Sequence, residues 1–493
     1  MKKRSYNLSK SAFIKGLQCH KSLYLKKYHP ELEDEISESQ QAIFDKGTNI
    51  GILAQQLFPG GTDLGGYIPH NFLEVFKQTD QLILGEAPIY EAGFSYDNLL
   101  CFIDIMEKKN GKWHACEVKG STSVKETYLW DTAFQYHVMI SSGIELEDIS
   151  VVYLNNQYVR NGELDLHELF TIESVKDQIL PLLPKVKEYI KQMKGMLEDD
   201  TSPSISIGPQ CSNPYPCSFM GHCWKDVPEY SIFNISRLSE DKKFDLYEKG
   251  IIKLSDIPDD YPLSSNQQLQ VLAEKNGESI IDKTEINTFL NKLKYPLYFL
   301  DFETFQPSVP MFDQSRPFQQ ICFQYSLHIL DKPNGKLIHK EFLAEAKDDP
   351  RLSFIRQLIQ DIGKEGDIIV YNKGFETARL NEIGSDFPEY QNQTNEINQR
   401  VVDLMDPFSK KHYYTPEMKG SYSIKKVLPA LVPELSYKNL NINEGGSASI
   451  AFESLYNETD EHKIKQTRDD LLAYCKLDTL AMVEILKVLY GNS

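Results

Sequence analysis

The sequence predicts an α/β protein of two or three domains. Its 493 residues exceed what one hydrophobic core usually holds, so more than one core is expected. Strand-like apolar runs also alternate with helical patterns: residues 99–106 and 113–118 precede a helical stretch at 126–143, and residues 296–305 (PLYFLDFETF) open a second unit of this kind. Such alternation is typical of α/β architectures.

The chain divides into three consecutive blocks. Residues 1–228 mix helices with strands and end in a stretch rich in Cys and Pro. Residues 229–290 are predicted to form a helical connector, where Gly250 separates two helical patterns and a plain linker is favoured over a helix-hairpin-helix. Residues 291–493 begin with a strand and end in a long helix, which predicts a second α/β domain.

Composition excludes several classes of protein. The N-terminal residues lack the apolar segment of a signal peptide, no run of 18 apolar residues occurs, and there is no G-x-x-x-x-G-K-[ST] loop. We therefore expect a cytoplasmic protein with no membrane partner and no ATP-driven motor activity. Eight cysteines in such a chain favour metal binding over a disulfide framework.

Basic residues are concentrated locally although the net charge is −18. Residues 1–30 contain eight Lys or Arg and no acidic residue. A second basic stretch contains Lys410, Lys411, Lys419, Lys425 and Lys426. Because phosphates bind Lys and Arg, both stretches are candidate contacts for nucleic acid, and the N-terminal lysines are the preferred path for its backbone. The alternative is a solvated charged surface.

A predicted hairpin brings the first set of catalytic residue types together. Asn110-Gly111 is a strong signal for a tight turn between two strands. Glu117 and Lys119 lie at i and i+2, so their side chains share one face, and Asp104 comes from the partner strand. Two carboxylates can hold Mg2+ or Mn2+, and a lysine beside them can position water or stabilise phosphate charge. The alternative is a surface salt bridge.

These residues, with Gln135 in the helix that follows, resemble the core motif of the PD-(D/E)XK nucleases, in their RecB-like branch. The resemblance implies a restriction-endonuclease-like fold for residues 1–228. It also implies that Asp104 and Glu117 bind metal and that Lys119 and Gln135 complete the catalytic set.

Four cysteines form a candidate metal site. Cys211, Cys217 and Cys223 are separated by five residues each, and Cys19 lies far upstream. Clustered thiols in a cytosolic chain indicate metal chemistry, with zinc or an iron-sulfur cluster as alternatives and three buried cysteines in a loop as the simplest case. The arrangement resembles the iron-sulfur staple of RecB-like nucleases, which implies a 4Fe-4S cluster on these four residues. The other cysteines are interpreted as core residues: Cys101, Cys116, Cys322 and Cys475.

The C-terminal block contains a second set of carboxylates. Asp301 and Glu303 share one face near the end of an apolar strand, and Glu376 follows a second apolar strand. Tyr474 and Asp478 lie at i and i+4 on one face of the last helix. Carboxylates that point to the same place need a cation between them, and hard divalent cations prefer such oxygen ligands.

In order and spacing, these residues resemble the three motifs of DEDD exonucleases, subtype DEDDy. The resemblance implies an RNase H-like fold in which four carboxylates hold two metal ions and Tyr474 orients the attacking water of a 3'-5' exonuclease. The carboxylates are Asp301, Glu303, Glu376 and Asp478. The second motif of the family ends in Asp, where this sequence has Glu376. Asp403 is interpreted as a cap at a strand end.

We therefore expect a metal-dependent nuclease that hydrolyses phosphodiester bonds of nucleic acid, with DNA favoured over RNA and with protein partners undetermined. An alternative class is a nucleic-acid-binding scaffold in which one or both sites are inactive. Three departures from the family motifs favour it: the sequence after Gly47 lacks the His of a G-x-x-x-H pattern, Met139 stands where the helical motif Q-x-x-x-Y has Tyr, and Glu376 replaces Asp. An iron-sulfur redox sensor is a third reading.

Overall fold

The computed structural model describes residues 7–492, without the side chains of Pro69 and His70. It forms two compact units. The first comprises Met1–Asp226 and Ser308–Phe318, and the second comprises Val227–Pro307 and Gln319–Ser493. Both units contain helices packed on a sheet, so the mixed α/β class predicted from the sequence is confirmed.

The first unit is built on a sheet of seven strands. They are β1 Leu8–Ser9, β2 Thr62–Asp63, β3 Ile89–Tyr96, β4 Leu99–Lys109, β5 Lys112–Lys119, β6 Leu146–Leu154 and β7 Phe170–Ser174. The order is β2-β3-β4-β5-β6-β7, and β1 pairs in parallel with the start of β4. Strands β3, β4 and β5 are antiparallel neighbours, whereas β6 runs parallel to β5.

The helices of the first unit are α1 Lys10–Gln18, α2 His20–Tyr28, α3 Glu38–Gln55, α4 Ile68–Leu82, α5 Glu126–Ser141, α6 Leu166–Leu169, α7 Lys176–Ile179, α8 Leu183–Glu198 and α9 Met220–Cys223. Helix α5 connects β5 to β6 as a crossover, and its residues from Asp131 to Met139 are all buried. It packs between the sheet and helices α1 and α8, so polar residues such as Asp131 and Gln135 are buried along with its apolar ones.

The predicted hairpin between β4 and β5 is present. Asn110 and Gly111 both have positive φ, 53° and 76°, as a type I′ turn requires. The turn sets the register in which Ile105 pairs with Cys116 and Met106 with Ala115. Asp104 therefore lies next to Glu117 on the partner strand.

The second unit contains a sheet of five strands and a separate two-stranded sheet. The strands are β8 Ile280–Ile281, β9 Leu297–Phe305, β10 Ile321–Leu330, β11 Leu337–Leu343, β12 Asp367–Val370, β13 Val401–Asp403 and β14 Tyr413–Tyr414. In the larger sheet the order is β11-β10-β9-β12-β13. The pairs β11-β10 and β10-β9 are antiparallel, and β9-β12 and β12-β13 are parallel.

The helices of the second unit are α10 Glu240–Glu248, α11 Ser265–Asn276, α12 Lys283–Leu290, α13 Pro350–Asp361, α14 Lys373–Asp386, α15 Gln391–Gln399, α16 Asp406–Ser409, α17 Ile424–Leu431, α18 Gly445–Ser454 and α19 Glu461–Gly491. Successive side chains of strand β9 point to opposite faces of the sheet, so the two faces have different surroundings. Leu300 and Phe302 belong to a core with Phe354 of α13, while the odd-numbered residues face α18 and α19.

The residues predicted to form a connector belong to the second compact unit instead of standing apart from it. The reason is strand pairing, because Ile280 and Ile281 of β8 pair with Tyr414 and Tyr413 of β14. After Gly250, whose φ is 75°, comes a three-residue 3-10 helix, and α11 begins only at Ser265. The stretch is thus helical, with a long connection between α10 and α11.

Within residues 7–492, none of the helices combines the length and the apolar character that crossing a membrane would demand.

Candidate active sites

The structure brings the four predicted residues of the first site together around Glu117, whose side chain is buried. Gln135 Nε2 donates to Glu117 Oε2 at 2.6 Å, and Lys119 Nζ donates to Glu117 Oε1 at 2.7 Å. Asp104 Oδ2 accepts a hydrogen bond from the backbone N–H of Val118 at 2.6 Å. Asp104 belongs to β4, Glu117 and Lys119 belong to β5, and Gln135 belongs to α5. The hairpin and the crossover helix together therefore position the site.

Two further charged residues belong to this site and were missed in the sequence. Lys10 Nζ lies 2.5 Å from Glu117 Oε1, and Lys119 Nζ lies 2.6 Å from Asp131 Oδ2. Asp131 could have been found, because it lies four residues before Gln135 and therefore on the same helical face. Lys10 lies 107 residues from Glu117, and no local pattern in the sequence predicts their contact.

Burial and the two lysines give the carboxyl groups of this site very different pKa values. Burial would raise the pKa of Glu117, but Lys10 and Lys119 outweigh it and lower that pKa to about 2. Burial and the charge of Glu117 raise the pKa of Asp104 to about 8. The same two causes raise the pKa of Glu91, on β3, to about 7. Glu91 has a φ of 56°, which is unusual within a strand, and it was also missed.

Several lysines of the two basic stretches make internal contacts in the described part of the chain. Residues 2–4 of the N-terminal stretch lie outside the described residues. Lys10 faces the first site, Lys15 donates to Ser218 at 2.8 Å, and Lys26 pairs with Glu33. In the second stretch, Lys411 is buried, with Nζ 3.8 Å from the centre of the Tyr414 ring. Cation-π packing and internal ion pairs thus engage several of these lysines.

The four predicted cysteine ligands line one cavity. Cys19 lies between α1 and α2, Cys211 and Cys217 lie in the segment before α9, and Cys223 is the last residue of α9. The remaining lining includes the apolar residues Ile205, Phe219 and Met220. Burial raises the pKa of Cys19 and of Cys223, and the charges of neighbouring cysteines add to both shifts. The four thiols are therefore close enough to affect one another.

The second site is a buried group of carboxylates on β9, α14 and α19. Ligand atoms of Asp301, Glu303 and Cys475 lie within 4.8 Å of one another. Burial raises the pKa of Asp301 well above its usual value, and the charges of Asp478, Glu303 and Glu376 raise it further. All four predicted carboxylates are thus within electrostatic reach of one another. Within residues 7–492, none of them forms an ion pair with Lys or Arg.

Two tyrosines contact Asp478 in this site. Tyr437 Oη donates to Asp478 Oδ1 at 2.6 Å, and a hydrogen bond from Tyr474 also favours the ionised carboxylate. Lys425 Nζ lies 5.1 Å from the centre of the Tyr474 ring and 5.6 Å from that of Tyr437. Tyr437 was missed because it lies in a three-residue 3-10 helix, 37 residues before Tyr474, with no motif around it.

Cys475 and Asp403 complete the comparison with the sequence. Cys475 is fully buried, as predicted for a core residue, but its Sγ also lies 3.6 Å from Asp301 Oδ2. Its position directly after Tyr474 could have indicated this contact. Asp403 accepts hydrogen bonds from the backbone N–H groups of Asn372 and Lys373, at 3.0 and 2.9 Å, at the start of α14. The interpretation of Asp403 as a cap at a strand end is confirmed.

Raised carboxyl pKa values predict how stability depends on pH. Burial raises the pKa of Glu376 to about 8 and that of Asp478 to about 6, and it raises those of Asp301 and Glu303 well above their usual values. The folded protein therefore holds protons that unfolded carboxyl groups, with pKa values of about 4, release. This stabilisation is complete below about pH 4 and is lost as the pH rises through the folded values.

In EDTA, we expect the melting temperature of the second unit to fall between pH 5 and pH 8. Asp301→Asn removes one of the interacting charges and should make this fall shallower, whereas Glu434→Gln removes an exposed charge and should leave it unchanged. Thermal melts in a pH series measure the effect. A melting temperature that rises over this range would contradict the expected protonation.

Comparison with known proteins adds a family match over part of the chain. Residues 298–423 match the model of a family described as a domain of unknown function, DUF2779. This segment includes Asp301, Glu303 and Glu376 and ends before Tyr474.

The chain is also similar to two curated relatives. The uncharacterized protein UU173 of Ureaplasma parvum is 30% identical over 232 residues, which cover 43% of this chain and 33% of the relative. The uncharacterized protein MG366 homolog of Mycoplasma pneumoniae is 29% identical over 235 residues, which cover 44% of this chain and 35% of the relative. The chain therefore spans about a third of the length of these relatives.

Proposed function

We propose that the protein is a metal-dependent nuclease that hydrolyses phosphodiester bonds of nucleic acid, DNA in preference to RNA. The observation that carries the proposal is the second site, where three buried carboxylates and the half-buried Asp301 have no basic residue paired to them in the described part of the chain. Two like charges 4 Å apart repel by about 4 kcal/mol at an effective dielectric constant of 20. Bound cations are the simplest means of offsetting this cost.

The proposed activity of the second site is that of a DEDDy 3'-5' exonuclease on an RNase H-like fold. A central β9 with antiparallel neighbours on one side and parallel strands on the other supports this fold. Asp301, Glu303, Glu376 and Asp478 would hold Mg2+ or Mn2+, which would stabilise the entering and leaving oxygens of the phosphodiester. Tyr474 would orient the attacking water, since it lies one helical turn before Asp478 on the same face of α19.

For the first site we propose a PD-(D/E)XK nuclease centre. The succession of β3, β4, β5, α5 and β6 supports that fold. Asp104 and Glu117 would hold the metal ion, which would activate water for attack on phosphorus. Gln135 fixes the orientation of Glu117, and Lys119 offers an ammonium group to the charge that grows on the phosphate.

The four cysteines would hold a 4Fe-4S cluster, with zinc as the alternative. Their thiols line one cavity with apolar walls, which suits either group. The site joins the α1-α2 junction, at Cys19, to the loop before α9, at Cys217. Its proposed role is therefore to fix the first unit around its nuclease centre.

A scaffold with an inactive first site is the second candidate function. The observation that favours it is the position of Lys10 on Glu117, because an internal ammonium group already neutralises that carboxylate. Cleavage assays on end-labelled single-stranded and duplex DNA and RNA, with Mg2+ or Mn2+, separate the two functions. In these assays the Asp301→Asn variant, whose first site is intact, cleaves at least one substrate if that site is an enzyme centre, and it binds without cleaving if that site is inactive.

Separate variants test whether the two sites act independently. Lys119→Met should abolish the activity of the first site and leave 3'-5' digestion, whereas Asp301→Asn should do the reverse, each with a loss of at least about 100-fold. Lys191→Met and Glu434→Gln are controls, because both change exposed charges outside the two basic stretches. If the Lys119→Met, Asp301→Asn double variant cuts as fast as the parent, both proposed sites are wrong.

Tyr474→Phe distinguishes water orientation from metal binding. It keeps all four carboxylates, so the rise in melting temperature on adding Mn2+ should persist, while 3'-5' digestion slows by about 100-fold. Tyr490→Phe removes a hydroxyl near the end of the same helix and should leave both measurements unchanged. Undiminished digestion by Tyr474→Phe would show that Tyr474 does not orient the water.

The metal on the cysteines determines the colour of the protein. Protein purified without oxygen should be brown and absorb near 400 nm, and Cys217→Ser should bleach it and lower the melting temperature of the first unit. Cys322→Ser is the control, since Cys322 lies in the second unit. A colourless, folded preparation that contains one zinc ion per chain would exclude the cluster.

A further inference from the structure

Lys10 is held where its side chain reaches the first candidate site. It begins α1, directly after β1, which pairs in parallel with Leu99 and Leu100 of β4. Ser9 Oγ accepts a hydrogen bond from the N–H of Ala12 and so caps the helix. Sheet pairing and the cap together fix the first turn of α1, and the Lys10 side chain is only 25% exposed.

Two ammonium groups share one oxygen of Glu117. Lys10 Nζ lies 2.5 Å from Glu117 Oε1, and Lys119 Nζ lies 2.7 Å from the same atom. The other oxygen, Oε2, accepts from Gln135. A divalent cation that binds Oε1 must therefore displace one of the two lysines, because an ionised carboxylate has about two lone pairs on each oxygen and both are occupied at Oε1.

The two lysines are not held equally. Lys119 has a second close partner, Asp131 Oδ2 at 2.6 Å, whereas Lys10 Nζ lies 4.0 Å from that oxygen. Lys119 also extends from the same strand as Glu117, which restricts where it can move. Lys10 is consequently the donor that a cation displaces at the lower cost.

We propose that Lys10 competes with a divalent cation for Glu117 and that, once displaced, its ammonium group binds the phosphate of the nucleic acid at this site. The proposal rests on the proposed nuclease function of the first site. It makes Lys10 a substrate-binding residue that couples metal binding to substrate binding. An ammonium group beside a phosphate can donate charge-assisted hydrogen bonds to the phosphate oxygens.

The two roles predict effects of opposite sign. Lys10→Met removes the competing charge and keeps the approximate length of the side chain, so Mn2+ should bind five- to tenfold more tightly. The same variant loses a phosphate contact, so cleavage at saturating Mn2+ should be at least tenfold slower, with a higher KM for nucleic acid. A purely structural defect would weaken both metal binding and cleavage.

The experiment is a Mn2+ titration followed by electron paramagnetic resonance. All chains carry Asp301→Asn and Asp478→Asn, which weaken the second site and isolate the first. The parent, Lys10→Met and Lys10→Gln are compared, and Glu117→Gln identifies the binding that belongs to this site. Lys27→Met, in the neighbouring helix α2, is the matched control and should leave the Mn2+ affinity unchanged.

The outcomes separate this inference from the function on which it rests. If Glu117-dependent Mn2+ binding is present but neither Lys10 variant binds more tightly, Lys10 does not compete with metal, and the nuclease proposal stands. If the parent shows no Glu117-dependent binding, the first site is not a metal site, and both proposals fail. Tighter binding with an unchanged cleavage rate and KM would overturn the phosphate contact.

Discussion

Repulsion between buried carboxylates is the constraint on which both candidate sites depend. The two units offset it in different ways. In the first, Lys10 and Lys119 lie on Glu117 and lower its pKa to about 2. In the second, burial leaves Asp301 and Glu303 with strongly raised pKa values. In the second unit, protons or cations must therefore offset the repulsion that the two lysines offset in the first unit.

Backbone geometry is what forces these charges together. On β9, alternation places Leu300 and Phe302 in the core and leaves the neighbouring residues on the face covered by α18 and α19. Asp301 and Glu303 therefore cannot turn to solvent without turning the apolar residues out of the core. The energy of that core maintains the unfavourable electrostatic arrangement, which is a common property of functional sites.

Local patterns in the sequence were sufficient to predict the main strands and helices around the candidate sites, but not every contact within those sites. The Asn110-Gly111 turn and the alternation of β4 and β5 predicted the proximity of Asp104 and Glu117, since turn type fixes register. Lys10 and Tyr437 could not be predicted, because each reaches its carboxylate through tertiary packing of a segment that has no motif. The sequence predicted residues 229–290 as a separate block. It could not indicate that they belong to the second unit, because the pairing of β8 with β14 joins residues that are more than 130 positions apart.

The hydrogen bonds at Asp478 show how one carboxylate in the second unit differs from its neighbours. Tyr437 and Tyr474 both favour its ionised form, so its pKa is raised only to about 6, whereas that of Glu376 is raised to about 8. Glu376 Oε2 is buried and, among the described residues, has no hydrogen-bond partner. As the pH rises, Asp478 therefore releases its proton before Glu376, whose buried oxygen gains no such hydrogen bond in the described part of the chain.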